Sequence, residues 1–350
     1  MKRLFALLLA MTMLFGLAAC NSQNEKEKEP AGTEPTGTEP EKPNVENVCT
    51  SFIVKNDEGE VWYGYVNTIE NGYLTEIRDF DYDVEKKIKI AYDLENRTAV
   101  ITCDSREGSL TVVWNEEGDI IKQTHQPEGK VVTVTKTPKD GGYVMVIETT
   151  ENGVCTEKQV NTFDAQGSLL ESLYYGNSGN LVSKYSYTYN EKGNKIRDVY
   201  EYYGEEETYT DISEYTYDEN DRNILTKYID GEGNCYSRME SSYDEDGNLL
   251  MEACYDEENT KIDWTEYTYN DKGLEESVKY YYYTDGLVSS TTYEYDDADN
   301  LIRTTAKDAN GEVVTEEEFI HQELEMSEEQ FWLMHEIDNA VKPWIAPAAE

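Results

Sequence analysis

The chain is short of the residues that most site chemistry needs. Its 350 residues contain three histidines, His125, His321 and His335, and no two of its cysteines are spaced C-x-x-C. A zinc centre has little to be built from. Basic residues are also scarce, 30 Lys and Arg against 73 Asp and Glu, for a formal net charge of -43. Nucleic-acid binding depends on cations that neutralise phosphates, so this balance argues against a nucleic-acid partner. No G-x-S-x-G elbow or phosphate loop occurs, and His335-Glu336 has no second histidine at metalloprotease spacing. The carboxylates are too many to single out a catalytic pair. The sequence reads as a non-enzyme, with no catalytic residue, no metal and no cofactor. Its longest early apolar stretch, Leu4 to Leu17, is shorter than the roughly 20 residues a helix needs to cross hydrocarbon.

What is present begins with an address. Lys2 and Arg3 precede that apolar stretch, which ends in Leu17-Ala18-Ala19-Cys20. These are the parts of an export signal. The four residues resemble the lipobox of bacterial lipoproteins. The resemblance implies cleavage between Ala19 and Cys20, diacylglycerol on the Cys20 thiol, and an extracytoplasmic protein whose membrane partner is reached through its N-terminal lipid. Two acyl chains anchor stably, because each buried methylene contributes about 0.8 kcal/mol. Residues 1–19 are then the signal, and its removal takes Lys2 and Arg3 away and the net charge to -45. Residues 20–48 hold Glu25-Lys26-Glu27-Lys28-Glu29-Pro30 and the near-repeat Gly32 to Pro40. With little to bury and recurrent proline, this segment is expected to be a disordered tether. About 28 residues of coil span on the order of 30 Å.

Five cysteines remain: Cys49, Cys103, Cys155, Cys235 and Cys254. Export permits disulfides, but an odd number at irregular spacing favours buried free thiols.

The body is repetitive. Phe163, Tyr189, Tyr217, Tyr243, Tyr269 and Tyr295 each open a short polar turn, at intervals of 26, 28, 26, 26 and 26 residues. Further turns end midway, at Gly179, Gly233, Asn259, Gly286 and Gly311, so the unit is about 12 to 14 residues. Weaker members reach upstream through Gly153, Gly142, Gly129, Gly118, Gly108, Asn96, Gly72 and Gly59. Asp or Asn at the first turn position can bond its own backbone, and Gly, Asn or Asp at the last tolerates positive φ. Three-residue hairpin loops with a G1 bulge fit this pattern. The remainder is strands with Tyr185, Tyr187 and Tyr189 on one face. If Asp244 pairs with Asn248, then Tyr243 meets Leu249, Ser241 meets Met251 and Met239 meets Ala253. That register puts Cys235 and Cys254 on opposite faces and excludes a disulfide between them.

The expected fold is all-β, a long antiparallel meander of about twenty strands in tandem hairpins, forming a curved sheet or a solenoid-like array. Residues 49–160, poorer in tyrosine, form an N-terminal β region, and 161–322 form the tyrosine-rich repeats. In the C-terminal part, 323–350, Ser327-Glu328-Glu329-Gln330 is a capping box. Phe331, Met334, Ile337 and Val341 follow on one helical face, with Pro343 as the stop, which reads as a capping helix.

Tyr-Asp-x-x-Gly-Asn-Leu, clearest at Tyr243 to Leu249 and degraded at Tyr295 to Leu301, resembles the YD or RHS repeat of bacterial surface and secreted proteins. The Arg common after the glycine in that family is matched only near Arg222, and no toxin domain follows. A lipid anchor, a tether and a long repeat surface together suggest display to a protein or glycan partner, with the run Tyr280, Tyr281, Tyr282 and Tyr283 as a candidate aromatic contact. The alternative is an envelope carrier that closes around a lipid or other apolar ligand. Acidic turns such as Asp244 to Asn248 share part of a calcium loop but lack its distal Glu, so ordinary turn chemistry is expected.

Overall fold

The computed structural model describes residues 44–55, 61–81, 84–116, 118–139, 141–204 and 207–345. Ala19, Cys20 and residues 20–43 of the expected tether lie outside the described residues. Residues 44–48 do not belong to a tether: β1 runs from Asn44 to Lys55, and Val48 is buried where the strand pairs. Among the described residues there are 22 strands and one helix.

Each strand pairs antiparallel with the next in the chain, and β1 also pairs with the last strand, β22 (Val313–Met326). The expected curved or solenoid-like sheet is therefore a closed 22-stranded barrel. Residues 49–160 and 161–322 are two arcs of that one sheet. Closure has a local cause. In hairpin after hairpin the register slips one residue beyond the turn, as between Thr162 and Phe163, Thr188 and Tyr189, Ser242 and Tyr243, or Thr268 and Tyr269. Each extra residue bends its strand and increases its twist. Repeated around the array, the bends curl the meander until β1 meets β22 and neither edge remains.

The bulges also correct the predicted register. Tyr243 does meet Leu249, but Ser242 meets Met251, Glu240 meets Ala253 and Met239 meets Cys254. Leu250 is the extra residue. A second slip between Tyr228 and Ile229 sets Cys235 opposite Ile229. Both cysteines thus change faces relative to the simple register and still lie on opposite ones. Of the five thiols, Cys103 is buried and Cys49 and Cys254 half-buried, whereas Cys155 and Cys235 are exposed, so burial does not hold for those two.

The turns behave as their residues require. Asp218, Asp230, Asp256 and Asp308 each accept bonds through Oδ1 from the N–H groups two and four residues on. Asp221, Asn259 and Asp299 take positive φ of 63°, 65° and 67° where other repeats use glycine. Upstream, Gly108 is not a turn residue but lies within a strand, and the turn before Gly142 takes its positive φ at Gly141.

The 26-residue tyrosine period has its own physical reason. At one rim, the ladder between successive hairpins stops short of the bulged residue, for example at Glu171 with Ser186, which leaves the Leu169 carbonyl beyond the last pair. The Tyr189 hydroxyl donates to that carbonyl at 2.8 Å. Tyr217 does the same to Lys195, Tyr243 to Asn223 and Tyr269 to Leu249, at 2.7–2.9 Å, and the His321 ring nitrogen bonds the Leu301 carbonyl at 2.8 Å. Each of these four tyrosines therefore satisfies a backbone group of the preceding repeat. Tyr243→Phe is expected to cost about 1 kcal/mol in urea unfolding. Tyr281→Phe, outside this ladder, should be close to neutral.

The helix α1 (Glu328–Ile345) follows β22 directly. The capping box forms as expected: the Ser327 N–H donates to Gln330 Oε1 and the Gln330 N–H to Ser327 Oγ. The helix runs past Pro343 to Ile345, because a proline this near the end removes only one late backbone bond. Leu333, Met334, Ile337 and Val341 are buried against Leu74, Ile88, Ile101, Leu110 and Trp114, the main apolar core of the molecule.

Candidate ligand-binding interior

Directly opposed residues share a face of a sheet, so one face can be followed from strand to strand. On one side of the ring the run passes through Ile77, Ile88, Cys103, Ile101 and Leu110, the residues beneath α1. On the other it passes through Tyr185, Tyr200, Asp211, Tyr228, Cys254, Asp263, Tyr280, Ser289 and Thr304. This is the inner face. Along β14 (Thr208–Tyr217) and β20 (Gly286–Tyr295) its residues Tyr215, Tyr217, Tyr293 and Tyr295 are half-buried, while the intervening Glu214, Thr216, Thr292 and Glu294 are exposed. Side chains converge on the concave side of a closed sheet and splay on its convex side. In circular section a ring of 22 strands is on the order of 40 Å across. Away from α1 the inner tyrosines are half-buried or, like Tyr185 and Tyr282, exposed, so a second layer does not cover them.

The inner lining is tyrosine, serine and threonine with carboxylates set between the rings. Tyr215 donates to Asp198 Oδ2 at 2.6 Å, and Tyr267 to Glu252 Oε2 at 3.3 Å. Lys195, at the start of β13 (Lys195–Tyr203), supplies an inner cation. Its ammonium lies 2.9 Å from Asp198, 4.6 Å from the centre of the Tyr215 ring and 5.7 Å from that of Tyr187. Burial works against that charge, but the hydrogen bonds the ammonium donates to Asp198 and Tyr215 outweigh it and hold it above the usual lysine range. Around β19 (Glu275–Tyr282) to β22 the lining differs. Glu275 faces Tyr269 across the ladder, and Glu317 faces Thr304, whose hydroxyl bonds it at 2.7 Å. Burial raises both carboxyls above the ordinary range, partly opposed at Glu317 by Thr304. Burial likewise pushes the Cys254 thiol up to about 11, helped by Asp263 and Glu252.

The tyrosine run singled out in the sequence is divided by the pleat. Tyr280 and Tyr282 oppose Thr265 and Asp263 on the inner face, Tyr281 opposes Trp264 on the outer face, and Tyr283 stands at the turn, 61% exposed. The four rings do not make one contact surface. Tyr281 stacks on Trp264 at 4.9 Å, so its face is already used. Sequence reasoning missed the inner carboxylates, whose positions depend on the bulges. Arg222, the family-like arginine, joins two turns: it bonds Asp218 at 2.7 Å and the Asp244 carbonyl at 3.1 Å and lies 4.9 Å from the Tyr243 ring centre.

The outer face is charged around the ring. Ion pairs there include Lys158 with Glu148, Lys184 with Glu171 and Glu201, Arg197 with Glu214, Arg303 with Glu294, Lys55 with Glu318 and Lys87 with Glu76.

No protein-family model matches the chain, and no curated protein does. Among solved structures, it is similar to TcdB2-TccC3 without its hypervariable C-terminal region, at 13% identity and a TM-score of 0.33, over 74% of this chain and 16% of that one. The chain thus spans only about a sixth of that protein. It is also similar to a porin-like protein from Bacteroides uniformis, at 12% identity and a TM-score of 0.30, over 68% of this chain and 95% of that one. A porin-like protein from Bacteroides vulgatus matches at 9% identity and a TM-score of 0.26, over 79% and 99%.

Proposed function

We propose that this protein is a lipid-tethered, extracytoplasmic, non-catalytic barrel that holds a small ligand against its inner wall. The observation that carries this reading is the pairing of β1 with β22, which turns the tyrosine face inward, away from any macromolecular partner. Display of that face to a protein or glycan array is correspondingly disfavoured. The lining also revises the ligand: hydroxyl groups and carboxylates suit a polar or amphipathic molecule better than a lipid. A pore through a bilayer is disfavoured by the outer ion pairs, since a Lys or Arg facing lipid costs about 2–4 kcal/mol at mid-depth. An anchor at Cys20, together with this charged wall, fits a body standing in water beside a membrane.

Native mass spectrometry of the protein released from its host membrane tests the reading. A mass in excess of the lipidated chain is expected, lost in Tyr267→Ala or Tyr293→Ala and kept in Tyr281→Ala. A bare chain, or equal loss from the inner and outer variants, would overturn it.

A further inference from the structure

The repeats allow one part of the inner wall to be compared with another. Lys195 opens β13, eight residues after Tyr187 of β12 (Leu181–Tyr189), and is also flanked by Tyr215 of β14. The same position in a later repeat is Glu275, which opens β19 eight residues after Tyr267 of β18 (Lys261–Tyr269) and neighbours both Tyr267 and Tyr293 of β20. The two tyrosine boxes are equivalent in the fold and differ in what they contain. The first is complete, with an ammonium group of the chain itself seated between two rings and a carboxylate. The second has the rings and the negative charge without the cation. Glu275 and Glu317 make no ion pair with any described Lys or Arg, and Tyr269, Tyr293 and Tyr295 stand around them. From β17 (Leu249–Asp256) to β22 the described inner face carries Glu252, Asp263, Glu275 and Glu317 and no Lys or Arg, because Lys261, Lys279, Arg303 and Lys307 all fall on the outer face.

The geometry points to a binding site for an organic ammonium group, enclosed by Tyr267, Tyr269, Tyr293 and Tyr295 with Glu275 and Glu317 as counter-charges. Phenol rings attract a desolvated cation through their negative faces, and a carboxylate beside them supplies the charge balance. Lys195 shows the arrangement filled. The inference rests on the interior being the working surface, and adds the ligand's chemistry to it.

Titration of the whole protein with tetramethylammonium chloride and with propylammonium chloride, followed by ligand-observed NMR, tests the site, with 1-propanol as the neutral control. Both cations are expected to bind saturably and the alcohol not to bind. Glu275→Gln and Glu317→Gln should each weaken binding about ten-fold, the size expected for losing one charged partner. Neither should lower the melting temperature, since each removes a charge that burial disfavours. Lys195→Ala vacates the first box and should add a second ammonium site. Equal binding of 1-propanol, cation binding unchanged in both Gln variants, or no second site in a folded Lys195→Ala protein would overturn the inference. Absence of cation binding beside a retained interior ligand that carries no positive charge would overturn this inference alone. Absence of both would overturn the container reading with it.

Discussion

Ile337→Asp is expected to unfold the protein at room temperature or leave it with a greatly lowered melting point. Ile337 is fully buried, and α1 is seated through it, Leu333, Met334 and Val341 on the apolar wall of β3 (Tyr73–Asp81) to β6 (Arg106–Trp114). Truncation of such a residue to Ala costs about 2–5 kcal/mol, and a carboxylate in its place adds the cost of burying an unpaired charge. Domains have only about 5–15 kcal/mol to lose. The damage should not stay local, because α1 continues from β22, whose pairing with β1 closes the ring. A loosened helix exposes Ile88, Ile101 and Leu110 and frees the end of the closing strand. Urea unfolding followed by circular dichroism measures this, with Trp332→Ala, on the exposed side of the same helix, as the control expected to change stability by less than about 1 kcal/mol. Equal stability of Ile337→Asp and the parent would mean that α1 does not dock on the barrel.

Alkali should have the next largest effect. Burial pushes Tyr92, Tyr267 and Tyr293 well above the ordinary phenol range. It pushes Tyr269 and Tyr295 up to about 12, helped by the neighbouring Glu275. In the unfolded chain these phenols ionise near pH 10. The folded state therefore holds their protons more tightly, and the stabilisation is complete below about pH 10 and lost as the pH rises towards 12. Each ring contributes on the order of 1 kcal/mol once its exposure is discounted. With several acting together, the barrel is expected to unfold cooperatively in that window. Phenolate absorbance should rise in one steep step that coincides with loss of the β-sheet circular dichroism signal. A gradual titration centred near pH 10 with the sheet intact would contradict it.

Much of the local structure could be read from the residues. The spacing of the leading aromatics located the turns, and Asp, Asn and Gly at the first and last turn positions adopt the conformations their side chains favour. Ser327 to Gln330 marked the start of α1. What could not be read depends on partners far along the chain. Leu250 carries no mark of a bulge residue, yet the slip there decides whether Cys254 or Ala253 faces inward. Val45 and Val48 sit in a polar, proline-bearing stretch, and only Glu325 and Gln322, more than 270 positions on, make them part of a strand. The candidate site was illegible for the same reason: Glu275 and Glu317 are two among 73 acidic residues until register places them on the inner wall.

Both ends of the described sheet, Asn44 and Met326, pair with each other at one rim. An antiparallel ring can return to its starting rim only with an even number of strands. The 26-residue unit supplies strands two at a time, so duplication or loss of a whole unit leaves that parity and the position of both termini unchanged. The bore of the barrel can therefore change in discrete steps during evolution, by unequal recombination between repeats, without disturbing the seam, the helix or the point at which the chain leaves the body.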